Sequence, residues 1–108
     1  MNRARAQWQT LTPSALALFS ELRACLSEQP PTSRWTLERR AQSLILTAGL
    51  ERAWQQERVD LDALRALDAL TAHLDLSATV TCRSALEGLQ GLFRRVVEIT
   101  YEELAPGD

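Results

Sequence analysis

Apolar residues recur along this chain at spacings of three and four, the period of helices that bury one face. Ala15, Leu18, Phe19, Leu22, Cys25 and Leu26 make the first such stripe. It follows Thr12-Pro13, a cap residue and a proline whose missing N–H would be unpaired anyway in the first turn. The spacing predicts a helix from about Pro13 to Ser27, ended by Pro30-Pro31. Residues 1 to 11 are expected as a short helix or as an arm carrying Trp8.

Ser33 can cap a second helix running to about Glu57, with Leu37, Ala41, Leu44, Ile45 and Ala48 as its apolar stripe. Gly49 lies inside that helix, where glycine costs about 1 kcal/mol relative to alanine. It is expected either to admit another backbone closely or to mark a kink or break before Leu50. Asp60 reads as the cap of a third helix, with Asp62 favoured in its first turn by the helix dipole. Leu61, Leu64, Leu67, Leu70 and Leu74 are its expected buried side.

A last helix begins between Ser77 and Thr81 and runs to about Leu104. Leu86, Leu89, Leu92, Phe93, Val96, Val97 and Ile99 give it an apolar face wider than one neighbour covers. That width makes it a candidate for the central helix or for a subunit contact through Leu92, Phe93 and Val96. Residues 105–108 should fray. The expectation is therefore an all-α fold: one domain over residues 1–108, a compact bundle of four to five helices.

Composition supports this and removes several chemistries. Nineteen leucines and fifteen alanines, strong helix formers both, make up nearly a third of the 108 residues. Lysine is absent, which removes a P-loop lysine and a Schiff base, and four scattered glycines build no phosphate-cradling loop. His73 is the single histidine, and neither Cys25 nor Cys82 stands at ligand spacing to it or to the other cysteine. Asp60/Asp62 and Glu102-Glu103 are the close acidic pairs, and capping and solvated helix ends account for them. No enzyme activity, metal or cofactor is expected.

The two cysteines form no CxxC and sit at apolar helical positions, which suits small buried hydrophobes in a reducing compartment. Glu21 and Arg23 interrupt the first apolar stretch, so neither a signal-peptide core nor a membrane span is expected. A cytoplasmic protein follows. The first twenty residues lack acids and contain arginine and serine, which leaves an organellar presequence as the alternative.

Charge is distributed unevenly. The first 58 residues hold eight arginines against five acids, +3, and all three tryptophans; the last 50 hold four arginines against nine acids, −5. Trp35 and Trp54 each precede an arginine by four residues, Arg39 and Arg58, and Arg34, Arg40 and Arg52 add charge nearby. Guanidinium forks suit phosphates and indole faces suit unstacked bases, so Arg39, Arg40 and Arg52 are candidate contacts to single-stranded nucleic acid. The favoured alternative is that the tryptophans pack at helix interfaces while the arginines lie over them and pair with Glu38, Glu51 and Glu57. Arg94-Arg95, with Arg83 and Tyr101 near the side of Arg94, form a second basic point or the solvent edge of a buried helix.

Two segments carry a family resemblance. Ser43-Leu44-Ile45-Leu46-Thr47-Ala48-Gly49-Leu50 resembles an apolar helical stretch running into a Gly-Leu, and Arg83-x-x-Leu86 followed by Phe93-Arg94-Arg95 resembles a basic and aromatic closing helix. Both are similar to segments of the small helical subunit of type III CRISPR RNA-targeting effector complexes, over about a third of the chain. The resemblance implies an all-helical, non-catalytic subunit that stacks along a ribonucleoprotein and touches guide or target RNA backbone without reading its sequence. It also implies roles for the Gly49 region, Arg83, Arg94 and Arg95. The alternative is a helical protein–protein interaction module or homodimer with no nucleic-acid role. Contact between the basic half of one copy and the acidic half of another would explain the asymmetry equally.

Overall fold

Cys25 and Cys82 are joined by a disulfide, with Cα atoms 5.7 Å apart, and this clamps one end of a pair of long antiparallel helices. The computed structural model describes residues 2–74 and 80–104. Within them run α1 (Arg3–Glu28), α2 (Leu37–Gln55), α3 (Leu61–Leu74) and α4 (Val80–Leu104). At the end away from the disulfide, Arg3 pairs with Glu102 at 3.5 Å and the Ala4 N–H donates to Glu103 Oε1 at 2.9 Å. Thus α1 and α4 lie side by side along their whole length. The four helices close into a ring in chain order, α1 on α2 and α4, α3 on α2 and α4. The bundle measures 54 × 23 × 21 Å.

The two halves unequal in charge are therefore two sides of one bundle, α1 with α2 and α3 with α4. Phe19, Leu22, Trp54, Leu67, Leu70 and Phe93 fill the space between them, all fully buried. Trp54 and Phe93 reach from α2 and α4 across the ring, with ring centroids 5.2 Å apart, and Phe19 meets Phe93 edge-on at 6.1 Å. Gly88 marks where α4 passes closest to Leu18 of α1, since an added Cβ would lie 2.9 Å from Leu18 Cδ1.

Several expectations need correction. Helix α1 does not start at Pro13 but passes through it, capped at Asn2, whose side chain accepts from the Arg5 N–H. Proline inside a helix costs about 3 kcal/mol, so tertiary contacts must hold the first turns in line. Buried Ala4, the Arg5–Glu57 pair at 3.1 Å and the Trp8 indole supply them. The segment expected as a short helix or an arm is thus helical, and forms the first third of α1.

Helix α2 is capped by Thr36 and not by Ser33, because Thr32 holds the preceding turn: its hydroxyl accepts from the Trp35 N–H at 2.8 Å and Trp35 is buried. The expected stripe of α2 is on the wrong side. Leu37 and Ile45 are exposed, as are Ala41 and Ala48, and Leu44 is half-buried. The inward face is instead Ser43, Thr47, Leu50 and Trp54. Gly49 neither breaks α2 nor receives a neighbour; nothing lies within 4 Å of the place its Cβ would take. At the C-terminus Glu57 takes a left-handed φ of 56°, while the Glu57 and Arg58 N–H groups donate to the Trp54 and Ala53 carbonyls, a Schellman close.

Asp60 caps α3 as expected, its Oδ1 accepting from the Ala63 N–H at 3.0 Å. Ala63, Leu67, Leu70 and Leu74 face inward, whereas Leu61 is exposed. The wide face of α4 is covered by α1 on one flank and α3 on the other, so α4 is a central element of this chain's own core. The proposed subunit contact there is corrected accordingly: Phe93 and Val96 are buried inside the chain and Leu92 is half-buried. The disulfide likewise replaces the expectation of two separate buried thiols. The fraying expected for Pro106-Gly107-Asp108 concerns positions outside the described residues.

Candidate functional surfaces

The tryptophans are structural. Trp8 Nε1 donates to the Trp54 carbonyl at 2.8 Å, Trp54 Nε1 donates to Thr12 Oγ1 at 3.0 Å, and Thr12 Oγ1 donates to the Trp8 carbonyl at 2.6 Å. This closed circuit ties α1 to the C-terminal turn of α2. Trp35 and Trp54 present no face to solvent, so neither is a stacking platform for a base. Nor are Trp35/Arg39 and Trp54/Arg58 helical neighbours: Trp35 precedes α2 and Arg58 follows its cap.

The six candidate arginines divide between α2 and α4, which lie on opposite corners of the ring. Arg39, Arg52, Arg83, Arg94 and Arg95 are exposed; Arg40 is half-buried and its guanidinium donates to the Ser27 carbonyl at 3.4 Å, near the C-terminal end of α1. At about 100° per residue, Arg39 and Arg40 flank the buried face of α2 on its two sides and Arg52 points away from it. On α4, Arg94 lies on the outward side with Glu98, Arg83 borders α3 beside Gln90, whose amide donates to Thr71 Oγ1 at 2.9 Å, and Arg95 turns toward α1 and lines a cleft with Arg3, Gln7 and Thr10. No single basic face forms. Glu51 of α2 and Glu57 just past its cap pair with arginines of α1, Arg23 and Arg5, and not with the α2 arginines. Among the described residues Arg39, Arg52, Arg94 and Arg95 have no ion pair.

Two surfaces went unrecognised in the sequence. One is the outer side of α2, where Ile45 is 71% and Leu37 60% exposed. Its residues were visible as a periodic stripe, and the overlooked signal was Trp54. It stands nine positions beyond Ile45, about 180° around a helix, so one of the two must face out. The larger indole and its neighbour Leu50 take the core. Beside this stripe a groove of about 330 Å³ runs between α2 and α3, with Ile45, Leu46, Gly49, Ala53, Ala63 and Ala66 among its walls.

The other surface is a cleft of about 410 Å³ where the start of α1, the α2–α3 turn and the end of α4 converge. Arg5, Glu57, Arg58, Asp60 and Glu103 give it mixed charge. Arg5 and Glu57 pair with each other, Glu103 accepts from Ala4, and Asp60 caps α3, so most of its polar groups serve the fold. His73 is half-buried in the last turn of α3. Among the described residues no three metal-ligating side chains converge, and no helix is long and apolar enough to cross a membrane.

Comparison with known protein families, with curated proteins and with solved structures finds no match for this chain.

Proposed function

We propose that this chain is a non-catalytic helical subunit of a larger ribonucleoprotein, similar in kind to the small subunit of type III CRISPR effector complexes. It would contact RNA backbone through arginines. The observation that supports this reading is that Arg39, Arg52, Arg94 and Arg95 stand exposed without a carboxylate partner among the described residues. Guanidinium groups not already neutralised can pair with phosphate, and their distribution over two helices suits a subunit touching an extended backbone at separate points. Buried indoles fit the same role, since backbone contact needs no stacked base.

The test is RNA retention by the native assembly and by variants. Arg39→Glu, Arg94→Glu and Arg95→Glu together should weaken RNA association alike for all sequences. Losing about three phosphate contacts to a single strand should flatten the log-affinity against log-salt slope by about 2. Unaltered retention and salt dependence would remove the RNA role.

The exposed stripe of α2 favours a second reading, a helical protein-docking module. Large apolar side chains on the outside of a helix, in register with one another, are what such a module presents.

A further inference from the structure

We propose that the outer side of α2 is a self-association surface on which a second copy of this chain docks, antiparallel, about a two-fold axis at Ile45. This deepens the protein-docking reading and rests on it.

Ala41, Ile45, Ala48 and Arg52 follow one another at steps of four, three and four, the spacing of a seam between two packed helices. All four are exposed, and Ile45 is the large apolar residue at their centre. An antiparallel two-fold at Ile45 sets each residue before it against one equally far after it on the partner. Glu38 then meets the partner's Arg52, because both stand seven positions from Ile45 on the outward side of α2. Each is exposed and lacks an ion pair among the described residues. Ala41 meets the partner's Gly49, so small residues flank the central Ile45 on both sides and let the two backbones approach. No like charges are opposed along the stripe.

Self-complementarity is the reason to choose a second copy over another helix. An isologous contact requires one surface to carry both members of each interacting pair, balanced about its centre. A site for a foreign helix has no need of an acid and a base equidistant from an isoleucine. The same contact accounts for Gly49. Within one chain it neither turns nor admits a neighbour, and alanine would fit the open space with better helix propensity. Against a second α2, the missing Cβ lets the helices approach.

Sedimentation equilibrium on the intact oxidised chain, from micromolar to millimolar, provides the test. A reversible dimer is expected for the wild type. Ile45→Asp, at an exposed position, should keep the helical circular dichroism and raise the dimer dissociation constant by about ten-fold or more. Glu38→Arg and Arg52→Glu should each weaken association, and the two together should restore it. Ile45→Cys should form a symmetric covalent dimer on oxidation. A wild type that stays monomeric at millimolar concentration, or a dimer indifferent to Ile45→Asp and to the charge exchange, overturns the proposal. If a monomeric wild type captures another helical protein and Ile45→Asp abolishes that capture, the second-copy proposal falls and the docking reading stands. Loss of neither association nor capture removes both.

Discussion

Thr12 shows how one side chain can hold two helices. Its hydroxyl accepts from the indole of Trp54 on α2 and donates to the Trp8 carbonyl of its own helix, one turn back. The Trp8 indole then closes the circuit on the Trp54 carbonyl. Valine has the shape of threonine without the acceptor, so Thr12→Val would leave a fully buried indole N–H unpaired. That should lower stability by about 1–3 kcal/mol, read as a shift in the urea midpoint at unchanged slope. The circuit lies one residue before Pro13, where α1 lacks a backbone hydrogen bond. None of this was readable from Thr12-Pro13, which looks like a helix start because local rules weigh the proline and cannot weigh two distant tryptophans.

Among the helices, α4 has the clearest one-sided apolar pattern and α2 the weakest. Six of the seven apolar positions of α4, all but Ile99, belong to or pack against the shared core, and Phe93 touches both Phe19 of α1 and Trp54 of α2. Phe93→Asp would therefore unfold the bundle and would not produce a well-folded monomer. A loss of at least about 3–5 kcal/mol is expected from the missing ring alone, before burial of the charge, with collapse of the near-ultraviolet signal as the measurement. Such a loss is large against the whole stability of a small domain. Helix α2 buries two hydroxyl residues, Ser43 and Thr47, while exposing Leu37 and Ile45. Thr47 satisfies its hydroxyl on the Ser43 carbonyl at 2.7 Å, which makes it acceptable on the inner face. Hydrophobicity alone placed the stripe of α2 inward; the bulk of Trp54 at one end and Trp35 ahead of the other turned it outward.

Across the molecule, the disulfide joins the end of α1 to the start of α4, 57 positions apart, while Arg3–Glu102 and Ala4–Glu103 close the opposite end. The Arg3–Glu102 pair is exposed and contributes little. The covalent link restricts the unfolded chain over most of the sequence, and closure of a loop this long corresponds to about 4 kcal/mol in the chain-entropy treatment. Comparing unfolding with and without a phosphine reductant should reveal a loss of about 2–4 kcal/mol, reproduced by Cys25→Ala with Cys82→Ala. Equal stability in both states would mean that α1–α4 packing alone sets the end-to-end alignment.

The type of the elements was legible in the sequence because it follows from short-range causes. The three-and-four spacing, the leucine and alanine content, and caps such as Asp60 act within a turn or two of helix, so an all-helical bundle of four to five helices, with near-correct starts for α3 and α4, could be read directly. The candidate arginines were also legible as charges, but not as a surface. Which way α2 faces, whether α1 continues through Pro13, and which cysteine meets which partner depend on residues tens of positions apart. Those outcomes are set by competition for a single interior, in which Trp54 and Phe93 displace Ile45 because only one side of each helix can enter it.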